Sequence, residues 1–123
     1  MNKIVCGADV CKDSIVCCFL SEIPDDVGKF FKQNGKNFPK FQSTLEDAQK
    51  FLEHKPTHLI LEPTGTHYAW IFAELAEQQG IKVLWAPNHK CKALRDTHDL
   101  PGKNDAADAL ALALTGLTYS ETS

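Results

Sequence analysis

Four acidic residues, Asp9, Glu62, Asp105 and Asp108, are of a type and in positions that could do chemistry. Asp9 closes the apolar run that begins at Lys3, and Glu62 closes Leu59-Ile60-Leu61 directly ahead of Pro63-Thr64-Gly65. An acid that ends a run of core residues is costly to half-bury unless something positive meets it. Asp105 and Asp108 are spaced i and i+3, so a helix projects both from one face, over a buried stripe continued by Ala109 and Leu112. Carboxylates sharing one crevice repel and stay partly protonated, whereas hard divalent ions such as Mg2+ or Mn2+ prefer oxygen ligands and settle that charge. Two such ions roughly 3.5 to 4 Å apart can activate a water and stabilise the leaving oxygen of an in-line displacement at phosphorus. Metal-dependent phosphodiester cleavage is the chemistry that follows. Each acid also has a plainer reading: Asp9 as a turn or cap residue, Glu62 as a solvated loop acid, Asp105 as a first-turn acid favoured by the helix dipole. Asp108, one turn further in, fits that last role less well, and the joint pattern is stronger than its members.

The elements that must position these acids follow from periodicity. Lys3 to Asp9 reads as a central strand, with Val5, Gly7 and Asp9 on one face and Ile4, Cys6 and Ala8 on the other. Ser14 to Leu20 is again β-branched and apolar and pairs with it as an antiparallel hairpin. Ser21 to Gly35, with Pro24, two aspartates and two glycines, reads as a loop holding one turn of helix around Phe30 and Phe31. Asn37 to Gln42 reads as an edge strand, because Pro39 removes a ladder donor. Ser43-Thr44-Leu45-Glu46 has capping-box spacing and opens an amphipathic helix carrying Leu45, Ala48, Phe51 and Leu52. Thr57 to Glu62, Thr66 to Gln79 and Ile81 to Ala86 make a strand, a helix and a strand, hence a parallel βαβ unit, with Gly80 as the helix stop. Pro87 to Asp96 is a short basic helix, and Asn104 to Leu117 a last helix rich in Ala and Leu. The fold class is α/β, a mixed five-stranded sheet with flanking helices.

Composition narrows the function. The 123 residues suit one compact domain and exclude separate cofactor and substrate modules. The longest apolar runs, Ile15 to Leu20 and Ala109 to Leu114, are far short of a membrane span, so the expected location is cytoplasmic, with no membrane partner. Five cysteines, two of them adjacent, read as reduced core thiols, with Cys6 and Cys11 in the apolar opening segment. A zinc site is the weaker alternative: no CxxC pair occurs, and the one tight His/Cys pairing is His89 with Cys91. A net charge of -3 argues against gripping nucleic acid by bulk positive field, so such contact must be local or bridged by metal. Lys12, Thr64, Lys90, Lys92, Arg95 and Lys103 are the candidate nucleic-acid contacts; the competing readings are a solvated basic face and, for Thr64, the start of a helix.

Gly7-Ala8-Asp9-Val10-Cys11-Lys12-Asp13, Leu61-Glu62-Pro63-Thr64-Gly65 with Tyr68, Ala86-Pro87-Asn88, and Lys103-Asn104-Asp105-Ala106-Ala107-Asp108-Ala109 closely resemble the DEDD transposases, the insertion sequence 110 family and the related pilin-gene inversion recombinases. The resemblance spans nearly the whole chain. It implies a ribonuclease-H-like fold similar to Holliday-junction resolvases of the RuvC type, and Mg2+ or Mn2+ held by Asp9, Glu62, Asp105 and Asp108. It also implies DNA as substrate for strand cleavage and transfer, a guide RNA as partner, and self-association. Family members carry a second, C-terminal domain with a serine nucleophile. None of Ser14, Ser21, Ser43, Ser120 or Ser123 stands in a context that suggests such activation. The expectation is therefore one RuvC-like catalytic domain over residues 1–123, an excised domain or a truncated product, incomplete for recombination alone. Two other classes compete: a catalytically silent module that binds nucleic acid or itself, and an actin-like kinase fragment. The kinase is disfavoured because Val10-Cys11-Lys12-Asp13 lacks the glycine a phosphate loop wants.

Overall fold

The computed structural model describes the backbone over residues 3–62 and 66–119, and their side chains except those of 66–69 and 119. β1 (Val5–Val10) and β2 (Ser14–Leu20) pair as an antiparallel hairpin, in register from Val5↔Leu20 to Val10↔Ile15. β3 (Lys40–Gln42) pairs antiparallel with the outer side of β2. β4 (His58–Leu61) and β5 (Lys82–Trp85) add in parallel beyond β1, so the strand order is β3-β2-β1-β4-β5 and β1 is central. The mixed five-stranded sheet with flanking helices expected from the sequence is the sheet observed.

Strand alternation divides the interior into two cores. Cys6, Ala8, Ile15, Cys17, Leu59 and Leu61 face α2 (Leu45–Leu52) and α3 (Thr66–Gln78), where Phe51 and Phe72 fill the gap edge to face. Val5, Cys18, Leu20 and Ile60 face the opposite layer of α1 (Val27–Asn34), α4 (Asn88–Thr97) and α5 (Asp105–Tyr119). Cys17 and Cys18, adjacent in sequence, thus lie in different cores, and all five cysteines are free thiols. Four of them are buried as expected. Cys11 is the exception: it lies in the turn between β1 and β2, half-buried, because the hairpin reverses there and not in a core strand.

Local chemistry explains three further departures. Residues 21–35 hold a two-turn helix, not a loop with one turn: Asp26 Oδ1 accepts the Lys29 amide at 3.0 Å, and Val27, Phe30 and Phe31 then pack at helical spacing. The capping box sits one residue later than Ser43. Thr44 Oγ1 accepts the Asp47 amide at 3.1 Å and Asp47 Oδ2 accepts the Gln42 amide at 2.7 Å, while Ser43 Oγ is buried without a hydrogen-bond partner. The edge strand starts at Lys40, after Pro39, which has no amide to give β2 but whose carbonyl accepts the Cys17 amide at 2.8 Å. Gly80, at φ 80°, ends the crossover from β4 to β5 in the left-handed region that glycine enters without strain.

α5 decides what stands over the sheet. Ala107 and every residue from Ala109 to Gly116 are buried, so this helix is enclosed on all sides by β1, β2, β4 and α4. It reaches β1 at Gly7, where a Cβ would fall on the Ala109 carbonyl oxygen and the Ala113 amide nitrogen. Gly116, one turn on, faces the side chains of Val5 and Ile60, which a Cβ there would crowd. At Gly7 the absence of a side chain therefore lets helix backbone rest directly on strand backbone.

Candidate metal centre

The site is assembled from the ends of these elements. β1 and β4 are parallel and paired Val5↔His58, Cys6↔Leu59 and Gly7↔Ile60; carried two residues further, that register sets Asp9 level with Glu62 at the carboxyl ends of the two central strands. Asp9 shares the face of Val5 and Gly7, which is the α5 face. Asn104 caps α5 through its side chain, Oδ1 accepting the Ala107 amide at 3.0 Å, so Asp105 and Asp108 occupy the first turn directly over the end of β1.

Asp9 feels the other three acids. Burial pushes the Asp9 carboxyl up from 3.8 to about 8, helped by hydrogen bonding with Asp105 and by the charges of Asp108, Asp105 and Glu62. Glu62 is raised as well, by burial first and then by Asp108, with Arg95 opposing. Ligand atoms of Asp9, Cys11 and Asp105 lie within 4.8 Å of one another, and two unit charges at that separation repel by about 3.5 kcal/mol at an effective dielectric of 20. Asp9 must hold a proton or meet a cation.

One cation is already part of the site. Arg95, in the last turn of α4, donates from Nη1 to Asp108 Oδ1, and the two side chains are only 20% and 21% exposed. Arg95, read from the sequence as a candidate phosphate contact, is placed as the partner of Asp108. Asp105 also departs from expectation: it is exposed at the lip of the site instead of lying on the buried stripe, because α5 enters from solvent at that residue. Of the other candidate contacts, Lys12 is exposed in the β1–β2 turn and Lys103 is exposed just ahead of α5, so both flank the acids. Lys92 pairs with Asp96 at 3.1 Å on the outer face of α4, Lys90 is half-buried on the same helix, and Thr64 lies outside the described residues.

Three participants were not singled out by sequence reasoning for the roles they have here. Gly7 sets the height of α5 over Asp9. Arg95 partners Asp108. Cys11 places its thiol 3.5 Å from Asp105 Oδ2, and burial together with Asp105 and Asp9 pushes that thiol up to about 11. The one available signal was position: Cys11 is two residues from Asp9 in a tight turn.

The Arg95 pair makes a measurable prediction. Arg95→Ala leaves Asp108 half-buried among acids, and the metal-free protein is expected to lose about 2 kcal/mol, below the range for a fully buried pair because water reaches the site. Urea midpoints should show most of that loss recovered in Mn2+. An equal loss with and without Mn2+ would mean that Arg95 is not a counter-ion to the cluster.

A family model described as a transposase, that of the DEDD transposases of insertion sequence 110, matches residues 6–122. No curated protein matches the chain. Among solved structures, RuvC of Thermus thermophilus is similar at a TM-score of 0.55, covering 97% of this chain and 96% of its own at 15% sequence identity. That likeness establishes a RuvC-like, ribonuclease-H-like fold. The family match takes in both central strands, the βαβ unit and all four acids, and by it the chain belongs to the DEDD transposases of the insertion sequence 110 family.

Proposed function

We propose that this chain is the catalytic domain of a DNA transposase, cleaving and transferring DNA strands with divalent ions, Mg2+ or Mn2+, held by Asp9, Glu62, Asp105 and Asp108. The observation that carries the proposal is the setting of Asp9, whose carboxyl is pushed up to about 8 by burial first and then by Asp105, Asp108 and Glu62. That donor set fits hard cations: oxygen ligands, excess negative charge, and an opening to solvent at Asp105. When bound, such ions supply an activated water and a charge clamp on the leaving oxygen at phosphorus.

The chain's own residues do the rest. Asp9 gives up its proton on loading, and the rigid centre of the sheet holds Asp9 and Glu62 at fixed separation. Arg95 holds the Asp108 carboxylate in one orientation. Lys12, in the turn after Asp9, and Lys103, just ahead of α5, are exposed and offer local positive charge to a phosphate backbone that an acidic domain would otherwise repel. DNA is the partner in this reading, with a guide RNA and further copies of the chain as the additional partners it carries.

Cleavage of nicked and branched DNA in Mn2+ tests it. The unaltered chain should cut, and Glu62→Gln should reduce the rate by about 100-fold or more. Equal cutting by the variant defeats the assignment. Mn2+ binding without any cutting favours a silent nucleic-acid-binding module instead.

A further inference from the structure

The carboxylate set is joined by a donor of different chemistry. Cys11 is held in the hairpin turn by its amide, which donates to the Ser14 carbonyl at 2.8 Å, so its side chain projects from a fixed backbone beside Asp9. Its Sγ approaches Asp105 Oδ2 at 3.5 Å, and one ligand atom from each of Asp9, Cys11 and Asp105 falls within a 4.8 Å triangle. Around a tetrahedral ion with bonds of about 2.0 to 2.3 Å, ligand atoms stand roughly 3.5 Å apart, so side-chain rotation of about 1 Å closes the triangle. Hard Mg2+ takes oxygens and waters, whereas Zn2+ and Cd2+ gain from a thiolate.

We propose that Cys11 is a ligand which makes the Asp9–Asp105 side of this centre selective for thiophilic divalent ions of the Zn2+ and Cd2+ class. On binding, the thiol proton passes to solvent and sulfur bonds to the ion, with no change of oxidation state. The same two carboxylates then serve the thiophilic ion and are withdrawn from Mg2+, so zinc acts as an antagonist of the magnesium-loaded centre. The other four thiols, Cys6, Cys17, Cys18 and Cys91, are buried and do not belong to this triangle. This inference rests on the carboxylates being a metal centre.

Cd2+ is the probe, because cadmium–thiolate bonds absorb in the ultraviolet independently of any nuclease activity. Cd2+ titration of the whole chain should raise a charge-transfer band of one-thiolate intensity, which Cys11→Ser abolishes while weakening Cd2+ binding by about tenfold or more. Mn2+ binding, followed by calorimetry, should change less than about threefold in the same variant, since Mn2+ is served by the oxygens. Cys11→Ser is nearly isosteric at a half-exposed turn, and an unchanged circular dichroism spectrum verifies folding. A band that persists in Cys11→Ser, or a wild-type chain that binds Mn2+ without a cadmium band, overturns the role of Cys11 and leaves the carboxylate centre standing. Failure to bind either ion overturns the centre and this inference together.

Discussion

Asp9→Asn is expected to abolish divalent binding and, in the metal-free protein, to raise stability at alkaline pH. Both effects come from one carboxyl. In the folded chain it titrates near 8, against an ordinary value of 3.8. Between those values the unfolded state has released the proton and the folded state still holds it, so stability falls as pH rises through the window and the whole penalty is present above about 8. Below about 4 both states are protonated and the penalty vanishes. Asp9 is partly open to water, which screens the penalty to about 2 kcal/mol. Urea melts without metal should therefore show the unaltered chain losing stability from pH 5 to pH 8.5, and Asp9→Asn losing markedly less. The same proton is expected to compete with Mn2+. The apparent Kd should fall about tenfold per pH unit below 8 and level off above it, and the asparagine variant should bind no Mn2+ at any pH. A pH-independent Kd over that range would remove Asp9 from the ligand set.

Gly7→Ala is expected to damage fold and site together. The added methyl would fall on the backbone of α5 at Ala109 and Ala113, and backbone cannot rotate aside as the end of a side chain can. The cost should sit at the upper end for overpacking, about 3 kcal/mol, or a fall in Tm on the order of 10 °C. The helix that must lift is the one carrying Asp105 and Asp108 over Asp9, so the substitution should also weaken Mn2+ binding in whatever fraction stays folded. Gly116→Ala provides the comparison. It crowds the same helix against the side chains of Val5 and Ile60, about two turns beyond Asp108 and three beyond Asp105. A smaller destabilisation, since those side-chain ends can shift, with Mn2+ affinity closer to wild type should result. If Gly7→Ala binds Mn2+ as tightly as the unaltered chain, helix height over β1 does not control the site.

Much of the scaffold was readable in the residues. The hairpin, the βαβ unit and the last helix follow from local alternation or helical spacing of apolar side chains, and each is present close to its expected limits. Residues 21–35 were misread because Pro24, Gly28 and Gly35 outweighed a pattern, Val27 with Phe30 and Phe31, that acquires meaning only once there is a sheet face to cover. The capping frame slipped by one residue because Ser43 and Thr44 are both competent caps, and the choice went to the one whose partner acid, Asp47, also reaches the Gln42 amide.

The sequence by itself determined which residues carry negative charge at element ends and which strands and helices present them, since both are written in patterns a few residues long. Only the tertiary structure decided that Arg95 is spent on Asp108, that Cys11 stands against Asp105 across 94 residues of chain, and that Asp105 lies at the lip instead of beneath it. Those outcomes depend on how closely α5 settles on β1 at Gly7. That distance is set by the packing of two backbones far apart in the chain, and local periodicity carries no record of it.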